Sequence, residues 1–158
     1  MLQRVQTILL IITVICIGLF LATTSWSKSI GPNEQVLVNP YYLIHTKGGL
    51  ALAKTPIFYV ATMAGLAGLF TIFTIFQYKN RIRQMLFVAL NSILLAGAMS
   101  AAIYHITRDA VELGGDPNDV GDFGIGIIAI VVALVSNFAA NRLIKRDEKL
   151  VKSADRMR

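Results

Sequence analysis

The chain has 158 residues, 55% of them hydrophobic and 15% charged, with a mean hydropathy of +0.62. That balance excludes an ordinary soluble domain and points to an integral membrane protein. The net charge of +6 lies along the edges of apolar stretches rather than in one basic block, so no nucleic-acid partner is expected, and the single cysteine, Cys16, excludes a disulfide framework.

In chain order, the first apolar window covers residues 5–26. A hydrocarbon layer of about 30 Å needs about 20 apolar residues at ~1.5 Å each, which this window supplies. Arg4 ahead of an apolar run, with small residues near position 22, also fits a signal peptide. A retained span is expected instead, and Ile15 ahead of Cys16 does not suit lipoprotein processing. The loop at 27–56 comes next. Gln35 to Val38, Tyr41 to Thr46 and Leu50 to Ala53 are rich in β-branched, aromatic or aliphatic residues, with Lys47, Gly48 and Gly49 as turn material. A small hairpin or three-strand flap follows from that pattern. Three more windows, at 57–77, 85–106 and 123–144, hold no Lys, Arg, Asp or Glu except Arg142. The expected fold is an all-α membrane protein. It comprises a single domain, 1–158, built as a four-helix transmembrane bundle with a β-hairpin-like extracytoplasmic loop and a cytoplasmic helical tail at 145–158.

Lys and Arg favour the cytoplasmic side when counted over short loops. With both termini inside, only Lys28, Lys47, Lys54 and Arg108 of the 15 basic residues fall outside. Glu34, Asp109, Glu112, Asp116, Asp119 and Asp122 also fall outside, which predicts an N-in, C-in orientation.

The windows carry no mid-depth ionisable group of the kind that ion-coupled transporters use. Small residues four apart, such as Ala61 with Gly65, Ala64 with Gly68, Gly97 with Ala101 and Ala129 with Ala133, suit close helix packing. Four polar residues, Thr13, Thr71, Asn91 and Asn137, fall about 9–12 Å in from one end of their windows at ~1.5 Å per residue. They are read as an interhelical polar belt, because an unpartnered amide in hydrocarbon costs several kcal/mol.

Neither the loops nor the histidines carry a recognisable chemical site. GGDPNDVGD at 114–122 fails the calcium-loop test, since Val120 and Ile127 occupy positions where oxygen ligands are needed when the loop is read from Asp116. His45 lies in the first outer loop and His105 at the outer end of the third window, without the facing partners that a haem or metal site requires. No cofactor is expected.

The tail IKRDEKLVKSADRMR has helical order. Leu150, Val151, Ala154 and Met157 form an apolar stripe, and Glu148 with Lys152 sits at the favourable i,i+4 spacing. This stripe is the expected contact with a partner or the membrane surface. The opening MLQRVQT and the closing RLIKRDEKLVKSADRMR, on a four-window profile, resemble a family of bacterial inner-membrane proteins known as domain of unknown function 4293. The resemblance implies a small Gram-negative inner-membrane protein with four helices, in which Asp147, Glu148, Lys149, Ser153, Asp155 and Arg156 belong to the family's recognisable tail. It brings no activity.

The functional expectation is a non-enzymatic accessory or scaffold subunit of a larger inner-membrane complex, in contact with membrane lipids and other membrane subunits. The alternative is a small transporter or a lipid- or small-ligand-binding bundle that uses the Asn91 and Asn137 level.

Overall fold

A computed structural model describes residues 2–77, 81–113 and 120–155. Four helical stretches in it are long and apolar enough to cross a membrane: Arg4–Ala22, Phe58–Phe76, Ile82–Leu113 and Ile125–Val151. They are built from α1 (Leu2–Ala22), α2 (Phe58–Phe76), α3 (Arg81–Tyr104), which runs through a π-helical turn (His105–Ala110) into the short α4 (Val111–Leu113), and α5 (Ile125–Asp155). α1 packs on α5 and α2, and α3 packs on α2 and α5, so each long helix touches two neighbours around a common core.

The expected all-α class is wrong. Between α1 and α2 the chain forms a meander of four antiparallel strands, β1 (Trp26–Gly31), β2 (Glu34–Val38), β3 (Tyr42–Lys47) and β4 (Leu50–Pro56). A fifth strand, β5 (Asp122–Phe123), from the second loop joins beside β1 to give the order β4-β3-β2-β1-β5. The molecule is therefore mixed α and β. The expected flap accounts for β2, β3 and β4 only. β1 went unrecognised because Trp26 had been counted into the first window, whereas α1 stops at Ala22 and Trp26 begins a strand paired with Val38 and Phe123.

Trp26 explains why the sheet stays on the bundle. Its side chain is fully buried, and its indole N–H donates to the Val120 carbonyl at 2.8 Å. Gly121 adopts φ +70°, and a Cβ there would fall 2.5 Å from the indole ring, so only glycine fits beneath the ring. Next to it, the amides of Gly124 and Gly126 donate to the carbonyls of Ser25 and Thr24 at 3.0 and 3.1 Å. The second of these contacts satisfies an N–H in the first turn of α5, one of the four that a helix leaves without an internal partner. The end of α1 is thus stitched to the start of α5 through backbone.

Candidate functional site

The four expected belt residues all lie in the interior, but they are not all joined. Asn91 Nδ2 on α3 donates to Thr71 Oγ1 on α2 at 2.7 Å and to Asn137 Oδ1 on α5 at 2.9 Å. Asn137 Nδ2 in turn donates to Ser92 Oγ at 2.8 Å and to the Val88 carbonyl at 3.2 Å, both on α3. Thr71 returns its own hydroxyl proton to the Ala67 carbonyl. Ser92 is a member that reading by depth missed. It follows Asn91 and so lies about 100° around the helix, within reach of the neighbouring α5. Thr13, fully buried, bonds back to Leu9 O at 2.9 Å within α1 rather than to either asparagine. The network links three helices.

The belt has apolar packing on both sides. On α1, Thr13 lies between Leu10 and Ile17; on α2, Thr71 lies between Ala67 and Ile75; on α3, Asn91 lies between Val88 and Leu95; on α5, Asn137 lies between Ala133 and Ala140. In each pair the two residues belong to different hydrophobic clusters, one extending toward the sheet and one toward the α2–α3 turn. Hydrogen bonding within this layer fixes the helices' rotation and height, since sliding any of the three bonded helices would strand amide groups in hydrocarbon. Asn91 Oδ1 is buried without a protein partner, as are Gln6 Nε2 and Asn141 Oδ1 nearer the helix ends.

A second polar cluster sits at the sheet end. His105, on the π-helical turn, contacts the Tyr59 hydroxyl through Nε2 and the Asp109 carboxylate through Nδ1. A carboxylate can only accept, so Nδ1 carries a proton, and Nε2 of the neutral ring accepts from the phenol. Asp109 follows His105 at i+4, the spacing that puts two side chains on one face of a helix. His105 is buried between two partners that reach the surface, Tyr59 at 48% exposure and the partly exposed Asp109. Tyr59 and His105 are 46 positions apart, a separation no local pattern bridges. His45 is engaged elsewhere, donating from Nε2 to Glu34 Oε1 at 2.8 Å, and Lys47 Nζ reaches the other oxygen at 3.3 Å. Both bonds hold the Glu34 carboxyl below the usual glutamate range. No group of three His, Cys, Asp or Glu side chains able to hold a metal occurs among the described residues. Residues 114–119 of the acidic loop lie outside them.

Two apolar surfaces stand at opposite ends of the bundle. Every residue of β4 is exposed, with Leu50 at 75% and Leu52 at 60%, and β4 forms one edge of the sheet. Lys54, the charge on this strand, folds over the Tyr42 ring at 3.7 Å, leaving the Leu50 to Ala53 stretch uncharged. At the opposite end, α5 continues past Ile144, with Leu150 and Val151 exposed. The side chain of Ala154, and Met157 altogether, lie outside what the structure describes.

A family model described as a domain of unknown function (DUF4293) matches residues 2–157. The chain belongs to this family. The match takes in both apolar surfaces, the belt and most of the tail, including the expected family residues Asp147, Glu148, Lys149, Ser153, Asp155 and Arg156. No curated protein matches the chain.

Proposed function

We propose that this DUF4293 protein is a non-enzymatic accessory or scaffold subunit of a larger assembly in a bacterial inner membrane, with both termini in the cytoplasm. The observation that carries the reading is β4. An exposed edge strand, uncharged from Leu50 to Ala53, offers backbone donors and acceptors to a second chain. Strand addition uses that row for affinity and the alternate side chains, here Leu50 and Leu52, for selectivity. The exposed Leu150 and Val151 on α5 supply a second contact at the other face of the membrane, where the basic residues also favour anionic headgroups. The charge distribution supports the orientation, since the sheet end carries four of the 15 basic residues.

A transporter or ligand-binding bundle needs a polar route to at least one surface. Here the belt lies between two apolar clusters, which favours a register-fixing role. Copurification of the full chain in mild detergent tests the proposal. A stoichiometric partner retained by the native protein and lost when Leu50 and Leu52 become lysine supports it, whereas a solitary protein by mass opposes it.

A further inference from the structure

At the end of the bundle away from the sheet, α2 and α3 enclose an outward-facing groove of about 540 Å³ lined by Leu69, Phe70, Ile72, Phe73, Phe76 and Phe87. Leu69, Ile72, Phe73 and Phe76 recur at helical spacing on the outer stripe of α2, and Phe76 is 74% exposed. Phe87 closes the groove from α3, stacked on Phe70 at 5.9 Å and edge-on to Phe73 at 5.1 Å. These rings brace one another as a preformed wall. All six lining side chains lack a polar group, so the occupant must be a hydrocarbon chain.

The mouth of the groove carries the opposite chemistry. Arg83 lies in the first turn of α3, four residues before Phe87 and therefore on the same side of the helix, and it is exposed. A helix's first turn also presents the positive end of its dipole. Gln84 Nε2 donates to the Thr74 carbonyl at 3.5 Å, which holds this turn against the end of α2 where Phe76 lies. An aromatic groove thus lies one helical turn from Arg83, at the end of the bundle where Lys79 and Arg81 also stand in the sequence. We infer that this groove is a binding site for an anionic phospholipid, one acyl chain against the phenylalanines and the headgroup phosphate on Arg83. The guanidinium suits it, because its planar fork matches phosphate oxygens in pairs. The site does not depend on the scaffold reading.

Native mass spectrometry of the full chain in detergent tests it, with palmitoyl-oleoyl phosphatidylglycerol and the matched phosphatidylcholine as probes. Their acyl chains are identical, so a difference reports the headgroup. Phosphatidylglycerol should bind at least about fivefold more tightly, the equivalent of the ~1 kcal/mol that one basic side chain contributes at an anionic surface. Arg83→Gln should bring it to the phosphatidylcholine level, and Phe73→Ala should weaken both lipids. Arg146→Gln, at the same end but on α5, should weaken phosphatidylglycerol binding far less than Arg83→Gln does. Equal binding of the two lipids by the native chain overturns the site. So does an equal loss with Arg83→Gln and Arg146→Gln, which would mean diffuse charge attraction only. Helicity by circular dichroism confirms that each variant is folded.

Discussion

Asn91 on α3 and Asn137 on α5 meet side chain to side chain at 2.9 Å in a layer whose neighbours above and below are hydrophobic. Each amide serves more than its partner: Asn91 also binds Thr71, and Asn137 also binds Ser92 and Val88 O. Removing one therefore leaves buried groups unpaired, whereas removing both clears most of the layer.

Asn137→Leu should lower stability by about 1–3 kcal/mol, the penalty for leaving buried polar groups without partners. The double variant with Asn91→Leu should lose less than the sum of the two single changes. The coupling should be about 0.6–1.7 kcal/mol, the range for membrane interhelical hydrogen bonds. A double-mutant cycle by reversible unfolding in micelles measures it, and strict additivity would show that the two asparagines do not cooperate.

Trp26→Ala should cost about 3–5 kcal/mol, as large aromatic truncations in packed cores do, and should free the sheet from α5. Gly124→Ala should also destabilise strongly, because its Cβ would fall 2.3 Å from the Thr24 carbonyl oxygen, where backbone must give way. Gly65→Ala is the contrast. A methyl there meets nothing within 4 Å, so the variant should gain about 0.5–1 kcal/mol from helix propensity. Thermal unfolding of the three variants should rank Gly65→Ala above the native chain and the other two well below it.

Glu34 gives the sheet tip a pH dependence. Hydrogen bonds from His45 and Lys47 depress its folded pKa below the unfolded value. The stabilisation is therefore fully present above the ordinary glutamate range and is lost as pH falls through the folded pKa. Amide protection across the β2–β3 ladder, taken relative to intrinsic exchange, should fall on acidification below about pH 4, and Glu34→Gln should flatten that fall. An exchange profile in the variant that still tracks the native one would assign the effect to another group.

Much of the helical architecture was legible because the apolar runs are long, and four helices long and apolar enough to cross a membrane occupy them. Of the four belt residues, Thr71, Asn91 and Asn137 bond across helices, whereas Thr13 bonds within α1. The sheet was less legible. β1, WSKSIG, places Lys28 and two serines among its six residues, and β5 has only two residues paired to Trp26 and Ser27. Its strand character comes from pairing across about a hundred positions rather than from local alternation. Trp26 and Phe123 look like span ends in one dimension and are strand partners in three. The same holds for glycine. Gly65 has the spacing of a packing residue yet meets nothing within 4 Å, while Gly121, in the acidic loop, and Gly124 make close approaches to Trp26 and Thr24. In the Tyr59–His105–Asp109 chain the i,i+4 pair is local, but the Tyr59 contact spans 46 positions, which no hydropathy pattern announces.

His105→Ala should cost about 1–3 kcal/mol through the cavity left where a buried ring stood, with little effect on the belt. Asp109→Asn should cost less, because its side chain is partly exposed and the amide oxygen can still accept. Unfolding of both variants in micelles checks the order, and a larger loss for Asp109→Asn would contradict it.

The scaffold reading stands or falls on β4. Site-specific photo-crosslinking in intact cells, with the reactive side chain placed at Leu52 and, as a control, at the exposed Ser29 of β1, tests it most directly. The account predicts one discrete adduct from Leu52, absent from Ser29 and lost when Ala51→Pro removes an edge donor. No adduct from Leu52, or the same adducts from both positions, would contradict it.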